Sequence, residues 1–174
     1  MCFNNIQIVS GSVFIEDLPA FLNSLNSFSE KNNIKLQGFD ARKIIDLDHL
    51  LFAVHRARRA FDTGTNEAKD IGLETMRFSS GQKQIGKSFA MGLISGVNRC
   101  HFVLFGVSDE CSEKIKNAFL AEFKVAECAD LSLDEKKPFL MKQFGITDVE
   151  LEAAGEHKFK DLVLERMALV DITR

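Results

Sequence analysis

The sequence predicts an α+β fold, in which helices cover a central β-sheet. The start of the chain alternates around Ile6 and Ile8, as a half-buried strand does. The apolar run from Cys100 to Val107 is typical of a strand covered on both faces. Helical spacing of apolar residues dominates the remainder. Because the chain has 174 residues, 45% of them apolar, and no linker rich in Pro or Gly, we expect one domain over 1–174.

The first half of the chain contains clear helix signals. Asp17 with Pro19 in the next turn predicts the start of the first helix, and Gly64 predicts the end of the second. The three arginines of that second helix project away from its apolar stripe and form a basic edge. In chain order, the predicted elements are a strand over 3–11, residues 11–15 as its continuation or its neighbour, a helix over 17–33, a strand over 34–40, a helix from 46 or 48 to 64, a helix over 67–76 and a helix over 82–91.

The second half begins with the apolar strand and then becomes helical. Thr147 is a typical N-cap residue, which places a helix start at 148. The predicted elements are a strand over 100–107 and helices over 108–123, 136–144, 148–154 and 159–170.

Charge is unevenly distributed along the chain, whose formal net charge is -3. Residues 42–99 contain ten Lys or Arg and six Asp or Glu, whereas residues 101–174 contain ten and fifteen. Such asymmetry indicates either an anionic partner on the basic side or an ordinary solvated face.

Several classes of protein do not fit this sequence. No apolar stretch approaches the ~20 residues of a membrane span, and the first residues lack the pattern of a signal peptide, so we expect a cytoplasmic protein without a membrane partner. The histidines at 49 and 55 point to different helix faces, and Cys100-His101 has no second ligand pair, so we expect no metal, no cofactor and no catalytic constellation. The four cysteines show no C-x-x-C pair and are interpreted as reduced thiols: Cys2, Cys100, Cys111 and Cys128.

Residues 81–88 read Gly-Gln-Lys-Gln-Ile-Gly-Lys-Ser and match the phosphate-binding pattern G-x-x-x-x-G-K-[ST]. A nucleotide loop requires a buried strand immediately before its first Gly and a helix beginning at Lys-Ser. Residues 73–80 mix apolar and charged types and resemble the end of a helix followed by a turn. We therefore interpret 81–88 as something other than a nucleotide loop.

Taken in order, the segments resemble an archaeal-type member of the small-subunit family of the KEOPS (EKC) tRNA-modification complex, the TPRKB-like family. The likeness spans nearly the whole chain. It is most specific in Asp48-His49-Leu50-Leu51-x-Ala53-x-x-x-Ala57, in Glu74, in Ser80-Gly81-Gln82-Lys83-Gln84-Ile85 and in the ending 165–171. Lys83 stands where the family usually has Arg, and Gly92-Leu93-Ile94 stands where Phe-Gly-Ile is usual. The resemblance implies that the sheet is mostly antiparallel.

The resemblance also implies a non-catalytic subunit that binds the kinase/ATPase subunit and the 3′ CCA end of tRNA, supporting threonylcarbamoyladenosine synthesis. An unpaired RNA end needs apolar or aromatic walls for its bases and cations for its phosphates. The resulting RNA-binding candidates are Arg77, Phe78, Ser80, Gly81, Lys83, Gln84, Ile85 and Lys87.

A kinase interface and a core-facing helix give the same sequence pattern. The candidates for the interface, weighed evenly against plain core packing, are Phe144, Ile146, Phe159, Leu162, Val163, Arg166 and Met167. Two other functions stay open. One is a nucleotide-dependent phosphotransferase in which Lys87, Ser88 and Asp109 act on phosphate and Mg²⁺. The other is a protein-interaction module without RNA contact.

Overall fold

The computed structural model describes residues 5–170 and has an α+β fold, as the sequence predicts. The sheet of the described residues is antiparallel throughout, in the order β2-β3-β1-β4. Its strands are β1 (Ile6–Ile15), β2 (Lys35–Asp40), β3 (Gly96–Phe105) and β4 (Ala126–Glu127). The α-helices are α1 (Leu18–Lys31), α2 (Leu47–Thr63), α3 (Ile71–Ser79), α4 (Ile85–Ser88), α5 (Ser112–Phe123), α6 (Leu133–Phe144), α7 (Asp148–Ala154) and α8 (Phe159–Ala168).

The chain forms two compact units, each built from two segments. Unit 1 comprises Met1–Ala41 and Leu93–Asp130, and unit 2 comprises Arg42–Gly92 and Leu131–Arg174. Unit 1 therefore holds the sheet with α1 and α5, and unit 2 holds the other helices. The single domain over 1–174 stays a prediction.

In unit 1, β3 is an inner strand because it pairs with β1 on one side and β2 on the other. Cys100 to Phe105 are buried without interruption, so the prediction of a strand covered on both faces is confirmed. One face packs on α1 and α5, where the rings of Phe28 and Phe119 meet edge to face.

Residues 11–15 continue the first strand rather than forming a neighbour. Gly11 is needed there because a Cβ at this position would lie 2.6 Å from the carbonyl oxygen of Ala126. The glycine thus lets β4 approach β1 closely. Residues 3 and 4 of the predicted strand lie outside the described residues.

The caps of unit 2 explain where its first two helices begin and end. The side chain of Asp46 accepts from the backbone N–H of His49, and Gly64 closes α2 in the left-handed conformation. Asp70 caps α3 in the same way, so that helix begins at Ile71 and not at the predicted residue 67.

The predicted helix over 82–91 is wrong in extent. Only Ile85–Ser88 is α-helical, and Phe89–Met91 is a 3₁₀ turn. The N-cap residue, Gln84, makes no capping hydrogen bond with its side chain, and Gly86 weakens the helix.

Two further features differ from the sequence predictions. Strand β4 was not predicted, and the start of α6 was predicted at residue 136. A capping box formed by Ser132 and Glu135 starts α6 at Leu133 instead.

Candidate nucleic-acid interface

The segment that follows α3 is held by a turn that requires glycine. Gly81 has φ +64°, and an added Cβ would lie 3.0 Å from the ring of Phe144. The carbonyl of Ser80 accepts a hydrogen bond from Gln143 Nε2 at 3.1 Å. These contacts join the 80–81 turn to the end of α6.

Arg77, one of the predicted RNA-binding residues, is internal and only 3% exposed. Its Nη2 and Nε donate to Oε1 of the fully buried Glu74 at 2.6 and 3.1 Å. The other carboxylate oxygen accepts from the backbone N–H of Ala68 at 2.8 Å. The guanidinium also lies over the ring of Phe78, 4.3 Å from its centroid. In this arrangement the Arg77 side chain supports the end of α3 from inside, and its contact with RNA stays a prediction.

Two more of the RNA-binding candidates lie inside unit 2. Phe78 is 1% exposed, and Ser80 is fully buried with its hydroxyl hydrogen-bonded to Ser88 at 2.9 Å. These buried side chains fit a supporting role, and their contact with RNA stays a prediction. The candidates that reach the surface are Lys83, Gln84 and Lys87, which are exposed, with Gly81 and Ile85 partly so.

Residues 81–88 lack the geometry of a nucleotide loop. The element immediately before Gly81 is the helix α3, which ends at Ser79, and not a strand. Ser88, which would hold Mg²⁺ in such a loop, is buried and hydrogen-bonded to Ser80. The four-residue helix α4 begins at Ile85 and not at Lys87. The phosphotransferase hypothesis has no support from this arrangement.

Lys87 and Gln82 instead line an open depression on unit 2 with a volume of about 600 Å³. We call it the basic depression. Its lining residues come from the stretch after β2, from the 82–90 segment and from α6: Arg42, Lys43, Gln82, Lys87, Ala90, Phe139, Lys142 and Gln143.

The basic depression has an electropositive lining with one accessible aromatic ring. Four of its residues are Lys or Arg, and none is Asp or Glu. The guanidinium of Arg42 lies over the ring of Phe139, 4.8 Å from the centroid, and that ring is 38% exposed. Lys43 Nζ donates a hydrogen bond to the carbonyl oxygen of Ala90. The depression can therefore attract phosphate and offer a planar surface to a base.

Of the eight residues that line the basic depression, only Lys87 was predicted from the sequence to bind RNA. Arg42, Lys43, Phe139 and Lys142 were not among the predicted RNA-binding residues. A weak signal existed, since Phe139, Lys142 and Gln143 are spaced to share one helix face. No local pattern, however, tells which other segment that face meets.

Most of the predicted kinase-binding residues belong to the packing of unit 2. Five of the seven are buried: Phe144, Ile146, Phe159, Val163 and Met167. Only Leu162 and Arg166 are partly exposed, and Arg166 pairs with Glu150 of α7. The five buried side chains fit core packing, the alternative that was weighed against an interface. Contact with a kinase stays a prediction for all seven residues, and Leu162 and Arg166 are the two that are partly exposed.

The model of the family described as kinase binding protein CGI-121 matches residues 15–171. The chain belongs to this CGI-121 family. This agrees with the resemblance to the KEOPS small subunit drawn from the sequence. No curated protein matched the chain.

In the described part of this CGI-121 family member, neither membrane-spanning helices nor metal-binding clusters are found. Over residues 5–170, no helix combines the length and the apolar character needed to cross a membrane. Within the same residues, no three His, Cys, Asp or Glu side chains converge in a way that could hold a metal ion.

Proposed function

We propose that this CGI-121 family member is a non-catalytic accessory subunit of a KEOPS complex. In this role it binds the kinase/ATPase subunit and the 3′ CCA end of tRNA in the cytoplasm, and thereby supports threonylcarbamoyladenosine modification. Membership of a kinase-binding family supports the kinase partner. The basic depression is the observation that carries the RNA part of the proposal.

The basic depression suits an unpaired RNA end better than a duplex. Single-stranded recognition combines cations along the backbone with rings or guanidinium planes on which bases stack. Arg42 over Phe139 provides such a stacked pair, and Lys87 and Lys142 provide charges for phosphates. The short helix α4 adds little as an anion site, so the side chains carry the binding.

The test is a titration of the purified chain with intact tRNA and with the same tRNA lacking its CCA end, at one fixed salt concentration. We expect the intact tRNA to bind more tightly. Lys87→Glu and Phe139→Ala should both weaken binding of intact tRNA and reduce the discrimination. Lys114→Glu, an exposed residue on α5 that lines neither the basic depression nor the turn at 80–81, is the matched charge control. Equal binding of both RNAs by the wild-type chain would contradict the proposal.

The kinase partner requires a separate test on α8. Leu162→Asp introduces a charge at a half-buried residue that we propose lies at the interface. Val149→Asp, on α7, is the matched control because Val149 is 76% exposed and outside the predicted interface. Co-purification with the kinase subunit should be lost for Leu162→Asp alone, with both variants folded by circular dichroism. Undiminished co-purification would move the interface away from α8.

A further inference from the structure

A second cationic depression lies on the C-terminal half of α2. It has a volume of about 390 Å³, and its lining residues are Arg56, Arg59, Ala60, Thr63 and Thr65. We call it the α2 depression. Arg56, Arg59 and Thr63 are spaced so that they share one face of the helix. From the sequence, Arg56 and Arg59 are predicted only to form part of a basic edge on this helix, and the family description assigns the α2 depression no role.

One of its two guanidinium groups is held in position by aromatic rings. Arg56 lies 5.5 Å from the ring centroid of Phe78 and 5.9 Å from that of Phe52. A guanidinium ordered in this way loses less conformational entropy when it binds an anion. Arg59, one turn along, is exposed.

The lining of the α2 depression contains no carboxylate. Several acidic residues of the 42–99 stretch are engaged elsewhere. Asp46 and Asp48 bind Lys160, and Glu74 binds Arg77. Two guanidinium groups with no carboxylate among the lining residues favour an anionic ligand.

The α2 depression is linked to the basic depression through α3. Phe78, whose ring contacts Arg56, lies one residue before the end of α3, and the turn that follows leads directly to Gln82 of the basic depression. The two depressions differ in chemistry. The basic depression has the exposed ring of Phe139, whereas the lining of the α2 depression contains cations, hydroxyls and a methyl group without an aromatic ring.

We infer that the α2 depression binds backbone phosphates of the same RNA whose 3′ end occupies the basic depression. This inference rests on the proposed function and extends it beyond the CCA end. Because guanidinium groups read phosphates without reading bases, the contact adds affinity and salt dependence but no sequence preference. We expect a short RNA bound in the basic depression to leave the α2 depression empty.

The test uses the full chain, the variant Arg59→Glu and the control Lys114→Glu. Each is titrated with intact tRNA and with a four-nucleotide RNA ending in CCA, over a series of salt concentrations. We expect Arg59→Glu to weaken tRNA binding by about fivefold or more and to reduce the slope of log affinity against log salt by about 1. Binding of the short RNA should change by less than about twofold, since it makes no contact with the α2 depression.

The outcomes separate this inference from the proposed function. If Lys87→Glu weakens tRNA binding while Arg59→Glu behaves like Lys114→Glu, the α2 inference is overturned and the CCA proposal stands. If Arg59→Glu weakens the short RNA and the tRNA equally, the α2 depression is no separate site and the inference also fails. Loss of kinase co-purification with unchanged tRNA binding would assign the surface to protein contact instead. A wild-type chain that binds neither RNA overturns both proposals.

Discussion

Replacing Arg77 by Met distinguishes a supporting residue from one that contacts RNA. In Arg77→Met, the carboxylate of Glu74 stays fully buried but loses the two hydrogen bonds from the guanidinium. Removing one partner of a buried ion pair typically costs about 3–5 kcal/mol. Because the backbone N–H of Ala68 still donates to that carboxylate, we expect a value near the lower end, about 3 kcal/mol.

A second substitution should reverse much of this loss. In Glu74→Gln/Arg77→Met the buried charge is gone, while the amide oxygen of Gln can still accept from the backbone N–H of Ala68. We expect the double variant to be more stable than Arg77→Met by about 2 kcal/mol, because an uncharged buried group avoids most of the desolvation cost.

The assay is urea unfolding followed by far-ultraviolet circular dichroism, since the chain has no Trp or Tyr for fluorescence. Titration with tRNA under conditions where each variant is folded completes the experiment. A supporting role predicts tRNA affinity within about twofold of wild type. If Arg77→Met unfolds like wild type and yet loses tRNA binding, the guanidinium contacts RNA and the reasoning from burial is refuted.

Three further predictions concern stability. Gly81→Ala should lower the free energy of unfolding in urea by about 1–2 kcal/mol, because Gly81 has a positive φ and the new Cβ would lie tightly against a ring of α6. Gly86→Ala should not destabilise the protein, because no atom lies within 4 Å of its new Cβ. Equal effects of the two substitutions would contradict this prediction. Burial raises the pKa of the Cys100 thiol from 9.0 to about 12, so above pH 9 the native state keeps a proton that the unfolded chain loses. The free energy of unfolding should therefore fall as the pH rises above 9, and it should fall less steeply in Cys100→Ala. The pKa of Lys160 is raised by hydrogen bonds to two aspartates at the start of α2. Because this ion pair is exposed, Lys160→Gln should lower the free energy of unfolding by less than about 1 kcal/mol, and the difference from wild type should disappear near about 1 M NaCl. A larger loss of stability that does not depend on salt would argue against an exposed ion pair.

Elements with strong local signals were predictable. The caps at Asp17 and Asp46, the left-handed Gly64 and the continuous apolar run of β3 each act through neighbours in sequence. Elements without such signals were missed. β4 has only two residues, and its hydrogen bonds go to β1, more than 100 positions earlier in the chain.

The candidate site was predictable only in part, for the same reason. The 81–88 motif drew attention to Lys87, which does line the basic depression. Its companions Arg42, Lys43 and Lys142 were not foreseen because they come from separate segments. The burial of Arg77 was also hidden, since nearly all of α3 is buried and its helical periodicity no longer marks an outer face.

The sequence by itself determined the family, the α+β class, the starts of α1, α2 and α7 and the end of α2, because these depend on residue identity and short-range hydrogen bonds. Only the tertiary structure decided which cations gather around Phe139, which side chains of α8 are internal and which carboxylate neutralises Arg77. Those features depend on which helix faces pack together. The native packing minimises the free energy of the whole chain and not that of any local segment.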